Sequence, residues 1–289
     1  MPGDKFSALW VSHSSIHDFL VCPRAYFLKN VYKDPKTKHK IQIVSPPLAL
    51  GMAVHEVIES LSVIPTDTRF LEPLSVKYER AWAKVSGKNG GFWDADSERT
   101  YKDRGRAMIT RVSDNPGPLA KPAVKIKQEL PQFWLSEEDN IMLCGKIDWL
   151  EYEPASDSVN IIDFKTSKNA EDGESLQLPI YHLLAHYAQK RPVKKAYYWY
   201  LESSNDLEEK VLPDLIESQD KILAIAKKIQ LARKLERFIC PKGEEMCYAC
   251  RAMEAVVRGE AEFVGVGGYG RDLYMVKKYE PDERASEIL

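Results

Sequence analysis

Apolar and polar residues alternate along this chain with two different periods, and the switches between them predict its elements. From Ser12 a run of serines is placed to cap a helix, and Ile16, Phe19 and Leu20 follow at helical spacing. Cys22-Pro23 breaks that helix, and Ala25–Tyr32 resumes as a second short one. Residues 33–47, rich in Lys and Pro, read as a loop; Gly51 then marks a tight turn, after which a helix carries His55 and Glu59 on one face. Helices are predicted near 70–85, 99–112, 175–190 and, as a long amphipathic one, 212–238. Residues 86–98, with three glycines, read as a mobile loop or insertion. Between the helices, 123–135, 141–152, 159–166 and 193–202 are rich in Val, Ile, Tyr, Trp and Phe, and read as strands of one mixed sheet. The class expected is α/β, a central mixed sheet flanked by helices. A polar, glycine-containing tail begins at about 258.

Composition narrows the function classes. The 289 residues are 44% hydrophobic and 29% charged, with a formal net charge of -2, so any nucleic-acid surface must be local. No apolar run approaches the ~20 residues of a membrane helix and no secretory leader pattern opens the chain, so an intracellular, cytoplasmic protein without a membrane partner is expected. Gly265–Gly270 lacks the Lys-Ser/Thr that completes a phosphate-binding loop, which excludes an ATP motor. The five cysteines, Cys22, Cys144, Cys240, Cys247 and Cys250, are an odd number that argues against a disulfide framework and for thiolate metal ligation. Cys144, inside a predicted strand, reads as a small buried side chain.

The window Ile141–Lys168 carries the candidate chemistry. Two strand-like runs flank a turn-rich stretch, and a hairpin centred between Ala155 and Ser156 sets Asp148 opposite Asp163. Lys165, two positions on, projects to the same face as Asp163. Apposed carboxylates repel, so such a pair calls for a cation, and an all-oxygen site suits magnesium or manganese. The implied reaction is phosphodiester hydrolysis, with Lys165 orienting water or stabilising charge on the phosphate. His55 offers a further, softer ligand that favours manganese. Glu129 lies on the predicted strand before the hairpin and can reach the same face. Gln177 and Tyr181, spaced i to i+4, present an amide and a phenol together, suited to holding a phosphate or the lysine.

In this order, Cys22-Pro23-Arg24, Gly51 to His55, Gly145 to Asp148, Ile162-Asp163-Phe164-Lys165 and Gln177 to Tyr181, these residues resemble the RecB-like branch of the PD-(D/E)XK nucleases, which includes the AddB nuclease domain and CRISPR-adaptation nucleases. The resemblance spans about residues 10–190. It implies a restriction-endonuclease-like core over 1–238 with a helical insertion around 60–115, and a cysteine cluster and tail over 239–289 packed on the N-terminal helix. It implies divalent metal at His55, Asp148 and Asp163, Lys165 as catalytic lysine, and Gln177 and Tyr181 in support. It also implies a 4Fe-4S cluster held by Cys22 and the group Cys240-x6-Cys247-x2-Cys250. Relatives place a further cysteine after the C-x2-C pair, where this chain has Ala255 and Val256, so a tetrathiolate zinc site and a site without metal stay open beside the cluster.

The function expected is a metal-dependent DNA nuclease, an exonuclease or end-processing enzyme of recombination, repair, phage replication or CRISPR adaptation. Its expected partners are DNA, single-stranded ends favoured, and a separate helicase or recombination or adaptation protein. Arg24, Lys29, Lys33, Lys36, Lys38 and Lys40, interleaved with Tyr26, Phe27 and Tyr32, could track and stack one strand. The alternative is a catalytically silent nucleic-acid-binding module with a structural thiolate-metal site.

Overall fold

A computed structural model describes residues 4–167 and 175–276. In chain order the elements are β1 (Leu9–Val11), α1 (His13–Val21), α2 (Pro23–Tyr26), β2 (Lys40–Ile43), α3 (Pro46–Ser60), α4 (Leu74–Lys84), α5 (Ala95–Asp114), β3 (Gln132–Ser136), β4 (Ile141–Cys144), β5 (Trp149–Glu153), β6 (Ser158–Lys165), α6 (Gln177–Ala188), β7 (Val193–Tyr200), β8 (Glu208–Lys210), α7 (Leu215–Lys234), α8 (Tyr248–Val257), β9 (Glu262–Gly267) and β10 (Arg271–Met275). The class is α/β, with mixed sheets flanked by eight described helices.

The β5–β6 hairpin keeps the register that its turn predicts: Trp149 pairs with Ile162, Leu150 with Ile161 and Glu153 with Ser158. Strand β6 is buried along its whole length, because β5 pairs on one side, β7 runs parallel on the other, and helices cover both faces. Side-chain alternation divides those faces. Val159 and Ile161 enter a core shared with α6 and α7, whereas Ile162 and Phe164 enter a second core built with α3, α4 and α5. Asp163 and Lys165 therefore point to the α6 side.

The strands form three sheets, β1-β4-β3, β2-β10-β9 and β5-β6-β7-β8, rather than one. The apolar run 141–152 is split because the chain bends after β4, where Gly145 lies against α6: a Cβ there would come within 2.9 Å of Leu184 Cδ1. The expected strand 123–135 survives as β3 and a lone bridge from Ala123 to Glu151, since residues 127–130 bend away before Pro131, which has no N–H to donate. The β2-β10-β9 sheet lies where a loop and a polar tail are expected. Its β2 pairs in parallel with β10, Lys40 opposite Arg271, so β2 finds its partner at the other end of the chain, while β10 also pairs with its neighbour β9. The tail beyond 276 lies outside the described residues.

Local sequence explains the helix ends. Ser12 and Ser15 form a reciprocal capping box on α1. Cys22, held extended before Pro23, ends α1 and caps α2, and one π turn, Phe27–Val31, continues the second helix. Helix α3 starts at Pro46, so Gly51 sits inside the helix rather than in a turn, where a Cβ would stand 3.5 Å from Thr166 Oγ1. Residues 86–98 are packed: Phe92 is buried against Trp82, Asp94 caps α5, and Gly91, at φ +80°, leaves no room for a Cβ beside the Ser45 backbone.

Candidate active site

At the end of β6 the alternation delivers Asp163 and Lys165 side by side beneath α6, with Lys165 Nζ 2.8 Å from Asp163 Oδ2. Both are buried, Asp163 to 1% exposure. Asp148 stands one residue before the first hairpin pair and accepts the Phe164 backbone N–H at 3.0 Å, which fixes its carboxylate beside Asp163. Burial and the Asp163 and Glu59 charges push the Asp148 carboxyl up to about 8, against the pull of His55. Asp163 is raised as well, by burial, with Lys165 opposing.

Helix α3 supplies the other wall. His55 Nδ1 lies 3.5 Å from Asp148 Oδ2 and 3.3 Å from Glu59 Oε1, one helical turn on. Burial alone would lower the imidazole, but the carboxylates of Asp148, Glu59 and Asp163 prevail and raise it to about 9. One ligand atom from each of His55, Glu59 and Asp148 falls within 4.8 Å of the others. Glu59 lies outside the site residues that the sequence predicts, and its i to i+4 spacing from His55 is the signal that marks it. Asp163 turns instead toward Lys165, whose Nζ lies 2.8 Å from its buried Oδ2, while Gln177 donates to its Oδ1. A divalent cation fits this oxygen-rich, negatively charged group, because it would reverse the repulsion between the carboxylates of Asp148, Asp163 and Glu59.

Gln177, at the start of α6, joins the set. Its Oε1 accepts from Lys165 Nζ at 2.5 Å, and its Nε2 donates to Asp163 Oδ1 at 2.8 Å and Tyr181 Oη at 3.2 Å. Tyr181 is buried, and burial together with Asp148 and Asp163 holds its phenol well above its usual range, so it stays protonated. The i to i+4 pair thus steers the lysine.

Two cavities meet here. One of about 320 Å³ reaches Asp148, and one of about 710 Å³ reaches His55; Glu59 and Lys146 line both. Glu129 lines the smaller cavity from an exposed bend, not from a strand, and makes no contact with the carboxylates among the described residues. The basic–aromatic stretch after Cys22 is not a free track either. Tyr26 is buried, Arg24 pairs with Glu254 and Lys29 with Asp18, while Lys33, Lys36 and Lys38 are exposed.

Away from this site, Cys22, Cys240, Cys247 and Cys250 converge, their sulfurs all within 4.8 Å of one another. Burial raises the Cys22 and Cys250 thiols; at Cys247 the same effect is outweighed by N–H groups of Ala249 and Cys250 at the start of α8, which bring it down to about 7. Cys144 stays apart, buried, its Sγ 3.5 Å from the Val11 carbonyl oxygen, and burial pushes it up to about 11. No described helix is long and apolar enough to cross a membrane.

Residues 10–255 match the family model described as the PD-(D/E)XK nuclease superfamily, a span that takes in both sites. No curated protein matches the chain.

Proposed function

Because this chain belongs to the PD-(D/E)XK nuclease superfamily, we propose that it is a divalent-metal-dependent deoxyribonuclease of the RecB-like branch, hydrolysing phosphodiesters at or near DNA ends. The observation that carries this reading is the convergence of His55, Glu59 and Asp148, with Asp163 and Lys165 alongside, where two cavities join. Magnesium or manganese held by Asp148, Asp163, His55 and Glu59 would supply Lewis acidity and lower the pKa of an attacking water.

The protein's own groups do the rest. Lys165, steered by Gln177 and by Asp163, places a fixed positive charge against the phosphate oxygens as negative charge grows on them. Tyr181 holds the Gln177 amide from below. Glu129, on the rim of the smaller cavity, is placed to meet the substrate rather than the metal. A strand crossing from one cavity to the other passes over the ligand set, which favours a single strand or frayed end as substrate. Work on DNA ends suits recombination, repair, phage replication or CRISPR adaptation inside the cell, with a helicase or adaptation partner supplied separately.

The test is cleavage of end-labelled single- and double-stranded DNA with magnesium, manganese or chelator, beside Asp163→Ala. Cutting that needs the metal, prefers the single strand and disappears in the variant is the expected result. Absence of cutting in all metals, or equal cutting by Asp163→Ala, would overturn the assignment.

A further inference from the structure

The RecB-like resemblance implies a four-iron cluster among Cys22, Cys240, Cys247 and Cys250, and these side chains do not fit one. Cys250 Sγ lies 3.6 Å from Cys240 Sγ and 3.7 Å from Cys247 Sγ, and no two of the four sulfurs are more than 4.8 Å apart. Thiolates ~2.3 Å from a single ion at tetrahedral corners stand roughly 3.8 Å from each other. A cubane places four irons and four sulfides inside its thiolate shell and spreads the ligands far wider. Widening this shell would pull apart a packed core, since Leu28, Ile41 and Met253 close around the cysteines and are buried.

We propose that the four cysteines form a closed, mononuclear tetrathiolate zinc site that ties the α1–α2 junction to the start of α8. Cys22, Cys240 and Cys250 are buried and Cys247 is half-buried, so all four positions are protein thiolates and none is left for substrate. Backbone amides orient the sulfurs: Ala25 N–H donates to Cys22 Sγ at 3.4 Å and Cys247 N–H to Cys240 Sγ at 3.2 Å. Arg24, in the field of Cys22 and Cys250, offsets part of the negative charge that four thiolates leave on a divalent ion. Zinc is favoured over a single iron because it binds such a set more tightly than ferrous iron. The ion locks together two segments from opposite ends of the chain, where the β2–β10 pairing also joins them.

The test uses the full chain, expressed with both zinc and iron supplied, purified anaerobically and dialysed against magnesium to clear the oxygen-rich site. Metal and acid-labile sulfide are measured, with zinc-edge X-ray absorption on the wild type. About one zinc per chain, surrounded by sulfur only, with no visible absorption around 400 nm, is expected. Iron with matching sulfide, a single iron with a thiolate charge-transfer spectrum, zinc bound through oxygen or nitrogen, or no metal would each overturn the proposal. Cys250→Ser should lose the zinc; if that variant does not fold, the wild-type absorption data decide alone. None of these readouts depends on cleavage, so this inference and the nuclease reading fail separately.

Discussion

The carboxylate–lysine site and the cysteine cluster each gather metal-capable side chains, and they are built in opposite ways. The first draws on α3 and the β5–β6 hairpin, leaves His55 at 26% and Glu59 at 36% side-chain exposure, and opens onto two cavities. The second draws on the two ends of the chain and is sealed in an apolar core. A site that must admit phosphate and water keeps positions free, whereas a site that only holds the fold together keeps none. The cost falls differently as well. A buried Asp163 and a half-buried Asp148, both with raised pKa values, make the open site a strain on the metal-free fold, while the sulfur cluster is a strain only if its ion is lost.

Substitutions that separate chemistry from stability are the sharpest way to break that contrast. Asp148→Asn is expected to lower cleavage by about a thousandfold or more, because it removes a ligand at the reacting centre. The same change relieves carboxylate repulsion, so the variant in chelator should melt at or above the wild-type temperature. Melting well below wild type would show that the open site is structural after all. The second effect runs the other way: Cys250→Ser should lower the melting temperature by roughly ten degrees or more, yet cut DNA within about threefold of wild type at a temperature where both are folded. Loss of cutting in a folded Cys250→Ser protein would tie the two sites together. Smaller still, Gln177→Ala should lower kcat by about ten- to a hundredfold with little change in KM, since it removes one of the groups that orient Lys165 without touching the substrate. A KM effect alone would place Gln177 in substrate binding.

The same contrast separates what the sequence shows from what it hides. The hairpin was legible because its strands keep a strict period of two around one turn, which fixes which side of β6 Asp163 and Lys165 occupy. Helix α3 was legible from spacing, although Pro46 and Pro47, not Gly51, start it. The β2–β10–β9 sheet was not, because a four-residue strand whose partner lies at the other end of the chain has no local signature. Glycine content hid the packing of 86–98, where Phe92 is buried against Trp82 and Gly90 and Gly91 allow the close backbone approach. Glu129 was misplaced because apolar content carried a strand through a bend. In the cysteine cluster, spacing pointed to four ligands; the sulfur separations, which set the size of what they enclose, needed the tertiary structure.

Glu59 gives the smallest expected effect and the finest test of the open site. It is the most exposed of the three convergent ligand groups, reaching His55 at 3.3 Å from one turn further along α3. Solvent screens its charge more than that of Asp148, so its loss should weaken the cation by less than losing a buried ligand does. Glu59→Gln keeps the size and the hydrogen-bonding reach to His55 while removing the charge. The metal concentration for half-maximal cleavage should rise about tenfold, with kcat at saturating metal within a few-fold of wild type. A fall in kcat that excess metal does not restore would move Glu59 from holding the cation to acting on the water or the phosphate, and the open site would then be built from β6 outward with α3 contributing chemistry instead of affinity.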